Sequence, residues 1–350
     1  MFPRSRDNRR HKPKAGRCRA RYRVRLGTVA LMLGLVECTQ ASDMEVARQS
    51  LDVMAQGIPL TTAGPDRERL GPLRYRGGLS LSAPHPAFGG LSGLWVAPDR
   101  SRFLAITDKG AWIGGEIDYA AEGSLKAVHE VEIGPLGELP QGRIADERGR
   151  DAEALTRGAD GAFHVAFEGK HRILRYARSN RPPIAGPATR VATPDDLRRA
   201  KPNGGPEALA ALGDGRLLML VESLTRDDAR TGFLRDRDGW HRVGYPLDAD
   251  FKPTDAARLP DGDVLVLERR FDMIAGFQGR LRRVREAGIR PDGMLAGEII
   301  ATLKPPILVD NYEGLSIQQD ATGRTFVYLV SDDNFRGAQR TLLLMFEYID

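Results

Sequence analysis

One short pattern of apolar and polar positions recurs along this chain. It is clearest in NGGPEALAALGDGRLLMLVES (Asn203–Ser223), where a polar stretch rich in Gly and Pro delivers Glu207 to the head of an apolar run. Asp214-Gly215 interrupts, and a second apolar run ends on Glu222. Asp-Gly between two apolar runs predicts a hairpin, because a two-residue turn of the primed type needs positive φ. With Asp214 and Gly215 as the loop residues, Glu207 and Glu222 oppose each other at the hairpin's open end. The pattern returns in RDAEALTRGADGAFHVAFEGKHRILRY, with Glu153, Asp160-Gly161 and Glu168. It returns in PTDAARLPDGDVLVLERRF, with Asp255, Asp261-Gly262 and Glu268, and in DNYEGLSIQQDATGRTFVYLVSDDNF, with Glu313, Thr322-Gly323 and Asp332. An earlier copy, GGLSGLWVAPDRSRFLAITDKG, turns near Pro98-Asp99, carries Ser92 in place of the first acid and ends on Asp108.

Five copies about 50–60 residues apart, strand-rich and without a long helical period between them, predict stacked β units. Each has room for about four short strands, the blade of a β-propeller. RILRY (Arg172 to Tyr176) and RLRRV (Arg280 to Val284) read as third strands, and DDLRRA (Asp195 to Ala200) as a short helix in a loop. The expected fold is all-β, a six-bladed β-propeller over residues 70–350. Leu73–Ala83 and the least regular stretches would supply the sixth blade; seven blades is the alternative. An immunoglobulin-type sandwich gives no reason for a repeat of this period.

Charge changes the picture at the N-terminus. Residues 1–41 carry eleven Lys/Arg against Asp7 and Glu37, a net of +9, so the +5 of the whole chain leaves 5 − 9 = −4 for residues 42–350. The folded part is mildly acidic, which removes the nucleic-acid partner that a pI near 9.3 suggests. The basic stretch leads into LGTVALMLGLV (Leu26 to Val36) and a small residue at Ala41. Eleven apolar residues are too few to span a bilayer and suit a signal peptide. The expectation is a periplasmic or secreted monomer without a stable membrane span, its residues 42–69 a mobile lead-in or one short helix. Both cysteines, Cys18 and Cys38, lie in the leader, so the remainder has no disulfide, thiol nucleophile or Cys metal site.

Like charges opposed across an antiparallel pair destabilise it, and burial pushes one pKa upward. A propeller sets equivalent positions of every blade on one rim. That would gather Asp108, Glu153, Glu168, Glu207, Glu222, Asp255, Glu268, Glu313 and Asp332 in one mouth, a set suited to Ca²⁺ and its six to eight oxygen ligands. The alternative is neutralisation by nearby cations: Lys109, Lys170, Arg172, Arg269, Arg270 and Arg336 all follow these acids closely. With a metal in place, Glu153 and Glu207 would serve catalysis as its ligands, metal-bound water would attack, and Lys109 and Arg270 would hold a small anionic or ester substrate.

Other chemistry is weakly signalled. His85, His129, His164, His171 and His241 form no metal-ligand spacing. GLSGL (Gly90 to Leu94) lacks the strand–elbow–helix setting of a serine nucleophile. The Gly pairs have no βαβ context for a dinucleotide loop.

The segments LSGLWVAPDRSRFLAITDKG, RDAEAL with FHVAFEGKHRILRY, PEALAAL with DGRLLMLVE, and NYEGLSI with YLVSDDNF together resemble the phytase-like domain of the "esterase-like activity of phytase" family. The resemblance spans about residues 70–350 and implies a secreted bacterial β-propeller that hydrolyses esters or phosphoesters. The EGL and EAL turns also look like the Glu-bearing inner strands of metal-dependent lactonases of the senescence-marker type. The phosphate-clamping residues of the calcium-dependent propeller phytases find no match here. A non-catalytic propeller that binds a ligand or an envelope partner through the same mouth is the alternative function.

Overall fold

The computed structural model describes residues 47–63, 67–139, 149–178, 184–248 and 250–349. The expected signal peptide lies outside them. Three short strands come first, β1 (Gln49–Ser50), β2 (Met54–Gly57) and β3 (Arg69–Leu70), followed by the longer β4 (Leu73–Ser82). Blade 1 is β5 (Leu91–Val96), β6 (Arg102–Thr107), β7 (Ala111–Tyr119) and β8 (Leu125–Pro135), and blade 2 is β9 (Ala152–Arg157), β10 (Phe163–Phe167), β11 (Arg172–Tyr176) and β12 (Ala188–Val191). Blade 3 is β13 (Pro206–Ala211), β14 (Leu217–Arg226), β15 (Ala229–Arg235) and β16 (Trp240–Pro246). Blade 4 is β17 (Lys252–Arg258), β18 (Val264–Asp272), β19 (Gly276–Val284) and β20 (Gly297–Leu303). Blade 5 begins with β21 (Asn311–Gln319), β22 (Thr325–Asp332) and β23 (Thr341–Tyr348). A 3-10 turn at Asp195–Arg199 falls between blades 2 and 3.

The described residues form a propeller of five blades, which corrects the expectation of six and its alternative of seven. Leu73–Ser82 is not part of an extra blade. As β4 it pairs antiparallel with β23 and is the fourth strand of blade 5, with β2 and β3 added at its outer edge. The two ends of the chain thus close the ring together. The lead-in contributes strands rather than a helix, β1 extending blade 1 beside β8. Each inner strand packs on the inner strands before and after it, and β21 closes on β5.

The core follows from this closure. A strand between two neighbouring blades is covered on both faces, so it reads as a continuous apolar run. In Leu217–Val221 the alternation splits such a run: Leu218 and Leu220 face blade 4, while Leu217, Met219 and Val221 face blade 2. Five buried clusters result, one in each gap between successive blades. Burying a Leu or Val side chain stabilises by about 1.5–3 kcal/mol, so every gap is a separate hydrophobic contact.

The hairpin turns differ from the expected two-residue form. In blade 3 the Leu212 N–H donates to Arg216 O (2.8 Å), the Gly215 N–H donates to Leu212 O (3.1 Å), and Gly215 has φ +88°. This is a three-residue loop with glycine in the left-handed position. Gly161, Gly262 and Gly323 take the same place in blades 2, 4 and 5, at φ +80°, +103° and +86°. The longer loop moves the register by one residue, and a β-bulge at the open end moves it again. Pro206 pairs with Val221 and Ala208 with Leu220, leaving Glu207 as the extra residue. Glu153 and Glu313 hold the equivalent bulge positions in blades 2 and 5. Glu207 and Glu222 are therefore diagonal neighbours rather than a directly opposed pair.

Candidate active site: the acidic mouth

A bulge re-aims the side chain of its extra residue. Here the bulges fall near the start of the inner strands, where the five blades converge. Ser92, Glu153, Glu207, Thr254 and Glu313 occupy the irregular positions of blades 1 to 5, and Asp108, Glu168, Glu222, Arg269 and Asp332 take matching positions beside them, on the second strand or just past its end. Two groups of three carboxylates form within this ring: Asp108, Asp151 and Glu153, and Glu153, Glu168 and Glu207. In each group one oxygen per residue lies within 4.8 Å of the others, and Glu153 belongs to both.

Blade 4 departs from its neighbours. The extra residue of its bulge is Thr254, so Asp255 pairs with Leu267 and Glu268 with Pro253. Both acids that the sequence pattern assigns to the mouth thereby leave it. Asp255 is fully buried and accepts the N–H of Leu315 at 2.7 Å and of Ala256 at 2.8 Å. Glu268, also fully buried, takes Arg280 Nε at 2.5 Å and Arg282 Nε at 3.5 Å. The mouth receives Arg269 instead, whose guanidinium lies 2.9 Å from Glu313. Arg270, the expected anion-holding residue, donates to Gln278 at 3.1 Å and lies over the Phe251 ring. Lys109 donates to Pro86 O at 3.1 Å and sits over the Phe335 ring. Asp151 joins the ring from outside the hairpin pattern, and its place two residues before Glu153 is its one mark in the sequence.

Individual acids are held firmly. Glu168 Oε2 accepts the N–H groups of Gly204 (2.7 Å) and Gly205 (3.3 Å). A Cβ on Gly205 would lie 2.4 Å from His171 Nδ1, so only glycine lets this backbone come so close. Asn311 Nδ2 bridges Glu313 (2.8 Å) and Asp332 (3.0 Å), and Lys252 pairs with Glu222. Ser92 gives its hydroxyl to Asp108 at 2.7 Å, which occupies the one serine of GLSGL.

Eight acids thus meet few cations, and their protonation records the imbalance. Burial, then the charges of Asp332 and Glu313, hold Asp108 well above the usual carboxylate range. Burial and the nearby Glu207 and Asp108 do the same to Glu153, and burial with Glu168 and Glu222 to Glu207. Asp151 is pushed up to about 6 by burial and Glu168, and Asp332 to about 7 by burial and Glu313. Burial also raises Glu313, against the opposing pull of Arg269. Ionised together, these groups need added positive charge. The donors are all oxygens, with no His or Cys among them, which fits a hard divalent cation such as Ca²⁺ better than Zn²⁺ or copper.

Fold and mouth define a small closed β-propeller with a carboxylate-lined centre. Within that class, residues 86–335 match the phytase-like family described as "esterase-like activity of phytase", and the chain belongs to this family. No curated protein matches the chain. Among solved structures, an α-L-arabinofuranosidase from Podospora anserina is 12% identical with a TM-score of 0.48, covering 88% of this chain and 99% of that one. A gluconolactonase from Xanthomonas campestris is 14% identical with a TM-score of 0.39, covering 83% of this chain and 97% of that one. A protein of unknown function from Dyadobacter fermentans is 13% identical with a TM-score of 0.42, covering 87% and 98%. Likenesses this distant carry no argument about chemistry. Among the described residues, no helix is long and apolar enough to cross a membrane.

Proposed function

We propose that the acidic mouth is a divalent-cation centre, of Ca²⁺ type, at which the protein hydrolyses a phosphoester or another ester. The observation that carries this reading is Glu153, shared by two groups of three carboxylates whose oxygens lie within 4.8 Å. Family membership supports the ester chemistry. When bound, the cation supplies Lewis acidity and a lowered pKa for water. Asp108, Asp151, Glu153, Glu168 and Glu207 hold it, and the backbone N–H groups of Gly204 and Gly205 keep Glu168 in place. Arg269 and Lys109 orient the anionic part of the substrate, Arg269 taking the part that the sequence pattern gives to Arg270. Asp255 and Glu268 serve the fold. The leader's basic and apolar segments support a site of action in the periplasm or outside the cell, by a monomer on small anionic or ester substrates.

The test is turnover of phytate and p-nitrophenyl esters by purified protein, with Ca²⁺ and with EDTA. Calcium-dependent turnover that Glu207→Gln removes is expected. Turnover unaffected by Glu207→Gln would refute the site, and calcium binding without turnover on either substrate class would favour a binding propeller.

A further inference from the structure

The channel has a second end. Along β9 the chain passes from Glu153 to Arg157 in four residues, about 13 Å at the rise of an extended strand. There the last residues of the five inner strands surround a cavity of about 260 Å³. No acid lines it. Its charged residues are Arg157 and Arg258, from blades 2 and 4. Leu94, Leu155 and Leu315, all nearly buried, contribute to its walls.

Neither guanidinium is neutralised by a carboxylate among the described residues. Arg258 makes no hydrogen bond or ion pair there, and its Nε is buried without a partner. Arg157 has one long bond, Nε to Gly161 O at 3.4 Å, and lies 5.4 Å from the Trp95 ring centre. The acids of nearby turns are already taken: Asp160 pairs with Arg175, Asp214 with Arg216 and Asp320 with Arg324. Arg258 is also placed closely. Its guanidinium lies against Gly213, where a Cβ would be 2.8 Å from Cζ, so the neighbouring blade leaves room for it only through glycine. A buried polar atom without a partner is costly, and an ionised one more so. A planar fork of N–H donors matches an oxyanion in two parallel bonds.

We propose that this lower end of the channel binds a small oxyanion, a phosphate or carboxylate group, between Arg157 and Arg258. The site lies apart from the acidic mouth and does not rest on the hydrolytic reading. The cavity is just below the range of about 300–1,000 Å³ of ordinary small-molecule sites, which suits a ligand of this size.

The experiment is calorimetric titration of the full chain, stripped of metal and dialysed free of chelator, with inorganic phosphate and, separately, acetate, at low salt. Without a metal the mouth holds carboxylates and no added cation, so it does not attract anions. Binding of either anion is expected, weakened about tenfold or more by Arg258→Gln and lost in the Arg157→Gln/Arg258→Gln pair. The Glu153→Gln/Glu207→Gln pair should bind as the parent does. Melting curves without anion show that each variant is folded. No binding of either anion at ~10 mM, an unchanged affinity in a folded Arg258→Gln, or loss of binding in the glutamate pair would each overturn the proposal.

Discussion

Blades 3 and 4 carry nearly the same hairpin: an acid before the first apolar run, an Asp-Gly turn, and an acid after the second run. Their acids nonetheless do opposite things. In blade 3 the extra residue of the bulge is Glu207, and Glu207 and Glu222 reach the mouth. In blade 4 both acids sit one position nearer the turn, so the extra residue is Thr254 and the mouth receives Arg269. Asp255 becomes a buried acceptor for the β21 backbone, and Glu268 the partner of two buried arginines. A one-residue displacement in a strand sends a side chain to another face. The same residue types therefore build a site in one blade and a scaffold in the next.

The largest test of that contrast is Glu268→Gln, which strands Arg280 and Arg282. Breaking a buried pair costs about 3–5 kcal/mol. Asp248, 2.9 Å from each arginine, keeps the loss near the lower end of that range. Urea unfolding should show it, and Glu222→Gln in the same assay should change stability by under about 0.5 kcal/mol. Next, Asp255→Ala leaves two buried N–H groups without an acceptor, at about 1–3 kcal/mol each, while calcium binding persists.

Calcium is the third test. Saturation at 100 times Kd adds about 2.7 kcal/mol, or about 5–10 °C in melting temperature for a domain of this kind. Glu153→Gln should abolish the shift and Asp255→Asn should leave it. A parent protein whose melting moves with neither Ca²⁺ nor EDTA would remove the metal from the account.

The last test is in pH. Asp151 and Asp332 bind protons up to about pH 6 and 7 when folded, against an ordinary value of 3.8. Between those limits the folded state holds more protons than the unfolded one, so stability falls as pH rises. The metal-free protein should melt progressively lower from about pH 4 to pH 8, and Ca²⁺ should flatten the curve. A rise with pH in EDTA would show that the mouth is already neutralised within the chain.

Much of this was legible in the residues. Five copies of the pattern are five blades, and the acids of blades 2, 3 and 5 mark the ring. The offset in blade 4 was not legible, because Asp-Gly serves a two-residue turn and a three-residue loop alike, and only the ladder beyond distinguishes them. Without that register, Asp255 and Glu268 look like mouth residues and Arg269 like a neighbour. The sixth blade was an error of closure: a strand shared between chain ends leaves no trace in a repeat count. Asp151 stood outside the hairpin that drew attention to Glu153.

The pairing of Leu73–Ser82 with Thr341–Tyr348 has a consequence in time. Blade 5 lacks its fourth strand until segments from opposite ends of the domain meet, the slowest kind of contact for a chain to make. Glu313 and Asp332 belong to that blade. The mouth is therefore complete only when the ring is, and the repulsion among its acids reaches full strength only once that seam is paired.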